Sequence, residues 1–85
     1  MEYVAVAFRS RSETVKFFEF LRSNGFFTEI VNTPKEAGVG CGLSVKIPPS
    51  MIPTVKKAIK ILGANTFAGF FLVKTIAGRR VVKSV

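Results

Sequence analysis

Phe26-Phe27-Thr28-Glu29-Ile30-Val31-Asn32-Thr33-Pro34-Lys35-Glu36-Ala37-Gly38-Val39-Gly40-Cys41-Gly42-Leu43-Ser44-Val45-Lys46-Ile47 is the stretch whose reading decides the fold. Phe26 to Val31 has the aromatic and β-branched composition of a strand. Thr33-Pro34 closes it, because the residue before a proline is steered away from helix and proline cannot donate to a ladder. Leu43, Val45 and Ile47 then alternate with Ser44 and Lys46, the period of a second strand. Between them Lys35 to Gly42 is a glycine-rich loop. Two strands joined directly by a loop pair antiparallel, and this pair sits at the centre of the chain.

The flanks supply one strand and one helix each. Val4, Val6 and Phe8 alternate with Tyr3, Ala5, Ala7 and Arg9, so the chain opens with a strand. Ser10 followed by Glu13 matches a capping box and predicts a helix with Val15, Phe17, Phe18 and Leu21 on its apolar face. Asn24-Gly25 ends it. On the other side Pro48-Pro49-Ser50 breaks the strand, with Ser50 a candidate N-cap and Pro53 tolerated in the first turn. Ile52, Val55, Ile59 and Leu62 form the apolar stripe of this second helix, with Lys56, Lys57 and Lys60 opposite, and Gly63 stops it. Thr66 to Lys74 reads as a last strand, and residues 77–85 as a short basic tail.

The order is β-α-β-β-α-β, an α+β, ferredoxin-like arrangement: a four-stranded antiparallel sheet with both helices on one face. Eighty-five residues suit one domain, 1–85. The other face of the sheet is left open or covered by a second copy. Whichever of Phe70 and Phe71 points away from the helices is then a candidate dimer contact.

Charge is unevenly placed within the net +8. Residues 1–36 hold five acids and five bases, whereas 37–85 hold eight bases and no acid. That half favours acidic partners. The opening residues lack the positive charge of a signal peptide, and the most apolar run, 61–73, is shorter than the roughly 18–20 residues of a membrane span. With a single unpaired cysteine, these features predict a cytoplasmic protein away from membranes.

Cys41 is the only cysteine, and there is no histidine. Internal disulfides, zinc sites of the usual kind and Cys-His catalytic pairs are therefore unavailable, and neither a metal nor a cofactor is implied. Two readings of the thiol remain open. It either fills a tight turn as a small apolar side chain, or it is a chemical handle. For the second, Gly38, Gly40 and Gly42 allow main-chain N–H groups to converge as an anion nest. With Lys35 or Lys46 nearby, such donors would favour thiolate and lower the pKa from about 8.5.

Thr33-Pro34-Lys35-Glu36 followed by Cys41-Gly42-Leu43-Ser44-Val45 resembles the signature of the selenium/sulfur (Se/S) carrier protein-like family, Thr-Pro-basic, then a short serine-rich stretch, then Cys-Gly and an apolar strand. The resemblance covers nearly the whole chain in length and order. It implies that Cys41 carries sulfur or selenium as a persulfide or selenosulfide. Thr33, Pro34, Lys35, Gly40, Gly42 and Lys46 would then form the surrounding binding residues. The partners implied are donor and acceptor proteins with acidic faces, in a carrier rather than a turnover enzyme. Gly38-Val39-Gly40 stands where the family tends to have serines, so hydroxyl donors are absent there. The alternatives are an interaction module, dimeric through its open sheet face, or an electrostatic nucleic-acid binder. The second is disfavoured because the run Phe67 to Phe71 does not match a base-stacking motif.

Overall fold

The computed structural model of the chain describes residues 2–40 and 42–85. Its elements run β1 (Glu2–Phe8), α1 (Arg11–Ser23), β2 (Glu29–Asn32), a 3-10 turn (Lys35–Ala37), β3 (Leu43–Ile47), a second 3-10 turn (Pro49–Met51), α2 (Ile52–Leu62), β4 (Phe67–Ile76) and β5 (Arg79–Ser84). The five strands form one antiparallel sheet in the order β2-β3-β1-β4-β5.

Alternation along the strands sorts the side chains onto two faces. Val4, Val6, Phe8, Val45, Ile47 and Phe70 meet Phe17 and Leu21 of α1 and Val55 and Ala58 of α2 in a single core. Both helices therefore cover the same face. The ring of Phe8 lies 5.3 Å from Phe17 and 5.8 Å from Phe67, so aromatic contacts knit α1 to β1 and β1 to β4.

The four-strand expectation is corrected to five. Residues 79–84 are not a loose tail: they pair with Phe71–Ile76 of β4. Ala77 (φ 50°) and Gly78 (φ 77°) are both left-handed, as a two-residue turn matched to the twist of a hairpin requires. Alanine at the first of these positions is a weak turn signal, which hid the hairpin from a reading of composition.

Two helix ends also differ from expectation. Phe26 N–H bonds Leu21 O (3.0 Å) and Gly25 N–H bonds Arg22 O (3.1 Å), with Gly25 at φ 84°. This Schellman closure ties Phe26 to the helix end, so β2 starts at Glu29 rather than at Phe26. Ser50 makes no capping bond. It lies inside the 3-10 turn that leads directly into α2 at Ile52.

At the start of α1 only half of the expected capping box forms. Ser10 Oγ accepts from Glu13 N–H (3.3 Å), as expected. The Glu13 carboxylate, however, accepts from the hydroxyl (2.6 Å) and N–H (2.9 Å) of Thr66 and the N–H of Asn65 (3.2 Å). Thr66 Oγ1 in turn accepts from Ser10 N–H (3.2 Å). A local motif has become a tertiary tie between α1 and the entry to β4.

The face away from the helices is partly covered by the chain itself. Ala5, Ala7 and Ser44 on that face are fully buried, and Val73 nearly so. Phe70 lies in the core, and Phe71, which points the other way, is half-buried. The 3-10 turn after β2 packs beside β5, although these strands are the two opposite edges of the sheet. The turn and the curled β4–β5 hairpin therefore meet across the helix-free face. Arg80, on the same side as Thr75 and Val73, donates there to Glu36 (3.1 Å).

Candidate functional site

The C-terminal ends of β1 and β2 and the N-terminal start of β3 lie at one end of the sheet, because the three strands alternate in direction. The loop 33–42 leaves and re-enters the sheet there. Among the described residues two bonds fix its base. Thr33 N–H donates to Gly42 O (2.9 Å), continuing the β2–β3 ladder by one step, and the Thr33 and Ser44 hydroxyls share a 2.7 Å bond. Pro34 is buried, and its extended backbone (ψ 134°) leads into the 3-10 turn. Gly38 closes the turn with a left-handed φ of 62°, and Gly40 stands at φ 89°. Side chains rarely adopt those angles, so the glycines are required by the path of the loop.

Cys41 lies outside the described residues. Of the other residues expected around it, Thr33, Pro34 and Gly42 are brought together at the loop base, and Gly40 stands on the loop beyond them. Lys35 is on the 3-10 turn and exposed. Lys46 does not converge on the loop. It sits four residues along β3 from Gly42, about 13 Å at strand spacing. There it faces Glu29 (3.7 Å) and lies over the Tyr3 ring (5.1 Å to the centroid).

Glu36 is held below its ordinary 4.5, first by its own backbone N–H and then by the hydrogen bond and charge of Arg80. It is the one acid on the loop, and it is ion-paired with Arg80.

A groove of about 400 Å³ opens at this end of the sheet, lined by Arg9, Arg11, Asn32, Gly42 and Leu43. Gly42 is bonded to Cys41 in the chain. Arg9 follows β1 and Arg11 is the first residue of α1, so the tight β1–α1 connection places both arginines at the groove. Neither stands out in the sequence, since both belong to the half of the chain with no net charge. A signal was present, however. Arg11 opens a helix, where the positive end of the macrodipole disfavours cations.

Among the described residues no cluster of three or more His, Cys, Asp or Glu side chains could hold a metal ion, and no helix is long and apolar enough to cross a membrane.

A family model described as "Putative Se/S carrier protein-like" matches residues 2–65. The chain belongs to this Se/S carrier protein-like family. The match takes in β1 through α2 and the whole loop with Cys41, but ends before β4 and is thus shorter than the near-complete resemblance expected. The β4–β5 hairpin, with Arg80, lies beyond the matched residues. No curated protein and no solved structure matches the chain.

Proposed function

We propose that the protein is a sulfur or selenium carrier in which Cys41 holds the transferred atom as Cys–S–S⁻ or Cys–S–Se⁻. The observation that carries this reading is the family match over residues 2–65, which spans the Thr33-Pro34-Lys35 and Cys41-Gly42 motif. Loading requires only a thiolate: Cys41 attacks the outer sulfur of a persulfide, a new S–S bond forms as the old one breaks, and the electron pair leaves with the donor thiolate. A selenosulfide forms by the same exchange from a donor that carries selenium on sulfur. Release repeats the step with an acceptor thiolate.

Three features favour a reactive thiol. Gly40 and Gly42 leave the cysteine without bulky neighbours in sequence. Arg9 and Arg11 put positive charge beside Gly42, which lowers the cost of a thiolate and of a bound persulfide anion. Glu36, the nearest acid in sequence, is neutralised by Arg80. The acid-free half of the chain gives the protein a positive field for acidic-faced donor and acceptor proteins, in a cytoplasmic relay.

The alkylation rate of Cys41 against pH, with intact mass measured after exposure to a low-molecular-weight persulfide, tests the reading. The expected outcome is a rate that rises at a pH below that of a free cysteine, and a gain of one sulfur atom that a thiol reductant removes. A thiol that titrates like free cysteine and gains no sulfur would sink it.

A further inference from the structure

The end of the sheet opposite the loop 33–42 holds an apolar pocket of about 210 Å³. It forms where β1 and β2 begin and β3 ends, with Tyr3, Ile47 and Pro48 among its walls. That volume is below the roughly 300–1,000 Å³ of pockets that take whole small molecules, and above the roughly 150 Å³ that admits benzene. The pocket therefore suits a single ring. One stands on its rim. Phe27 lines the pocket and is 80% exposed. Phe26 before it packs against the core and is tied to the end of α1, and Thr28 after it is buried, which leaves the ring between them facing outward. The Arg22 guanidinium lies 5.8 Å from the ring centroid and donates to Thr28 O (3.4 Å), so the exposed ring is backed rather than loose.

Charge selects the occupant. Glu2 and Glu29 border the pocket, with Lys74 3.7 Å from the first and Lys46 3.7 Å from the second. Acids and bases thus balance around this mouth. Elsewhere a chain of net charge +8, with no acid after residue 36, repels a copy of itself. We propose that this end of the sheet is the interface of a two-fold dimer, in which Phe27 of each protomer enters the pocket of the other. A two-fold contact uses the same patch on both sides, so that patch must carry both the projecting ring and its receptacle, as this one does. The paired acids and bases meet opposite signs across the axis, so no charge is left unpaired. Phe27 becomes the central aromatic anchor, and the two ion pairs its polar rim. The loop 33–42 lies at the far end of each protomer and stays uncovered, whether or not the carrier reading above holds.

The test is sedimentation of the full chain from micromolar to millimolar concentration, with amide chemical shifts followed over the same range. Wild type is compared with Phe27→Ser, with Ile61→Ser, and with Glu29→Lys alone and combined with Lys46→Glu. Ile61 is 76% exposed near the C-terminal end of α2, away from Pro48, and controls for the loss of an exposed apolar side chain. Melting curves check that each variant keeps the fold. We expect wild type to pass from monomer to dimer, with concentration-dependent shifts at Tyr3, Thr28, Lys46 and Ile47 and none at residues 35–38. Phe27→Ser weakens association at least about tenfold, and Ile61→Ser leaves it unchanged. Glu29→Lys weakens it, and adding Lys46→Glu restores it.

A wild type that stays monomeric at millimolar concentration overturns the dimer. Association that survives Phe27→Ser, or falls as much in Ile61→Ser, overturns the pocket as its seat. Shifts that fall instead at Val31, Phe71 and Val82 put the contact on the helix-free face and overturn this interface. Growth beyond the dimer overturns the two-fold closure.

Discussion

Replacing Thr33 by valine separates two roles for this residue, an anion-binding hydroxyl and a fastener of the loop base. Valine keeps the shape of threonine and removes one polar atom. Ser44 is fully buried, and among the described residues its hydroxyl has Thr33 as its partner, at 2.7 Å. Thr33→Val therefore strands a buried hydroxyl, at a cost of about 1–3 kcal/mol. The double substitution Thr33→Val/Ser44→Ala removes both polar atoms and returns most of that loss, because no buried group is then left without a partner. The expected coupling between the two sites is about 1–2 kcal/mol. Urea unfolding of the four proteins measures it, and with an m-value of about 1 kcal/mol/M the single valine variant shifts the midpoint by about 1 M or more. The reasoning is refuted if Thr33→Val unfolds with wild type, or if the double variant loses the sum of the two single losses. A stable Thr33→Val that loads sulfur poorly would instead make the hydroxyl a ligand.

Three further outcomes follow from the same structure. Glu13→Gln lowers stability near neutral pH and flattens the acid limb of the stability profile. The Thr66 hydroxyl and the Thr66 and Asn65 N–H groups hold the folded-state carboxyl below its ordinary 4.5. Its contribution is thus complete above that value and lost as pH falls through the lower folded one, which melting curves taken from pH 7 to pH 3 check. Glu36→Gln leaves the melting midpoint nearly unchanged, since both partners of the ion pair are about half exposed. It nonetheless speeds hydrogen exchange of residues 35–40, and unchanged exchange there would remove Arg80 as an anchor of the loop. Ending the chain at Ile76 lowers the melting temperature and produces larger species in size-exclusion chromatography, because it uncovers Val73 and bares the edge of β4. A truncated protein that melts and elutes like the full chain would return residues 79–84 to the status of a tail.

Much of the architecture was legible because the signals were local. The loop between β2 and β3, the Ser10 cap and the Gly25 and Gly63 helix ends all lie where short-range chemistry places them. The misses share a cause. The Glu13 carboxylate could have completed its own capping box, but Thr66, 53 residues away, offers it two donors. The hairpin that adds β5 depends on the twist of β4, which sets the hand of a turn that Ala77 alone does not announce.

For the site, the sequence by itself determined the chemistry within reach: one thiol, no histidine, and a loop of glycines whose backbone angles other residues resist. It also placed the excess charge in the half after residue 36. Only the tertiary structure decided which charges meet the site. Lys46 is drawn to Glu29 and Tyr3 along β3, while Arg9 and Arg11, from the neutral half, line the groove at Gly42. Net charge sums along the chain without regard to distance, whereas the field at a thiol falls with distance and screening. The antiparallel order that gathers three strand ends therefore counts for more at the site than the eight bases that follow residue 36.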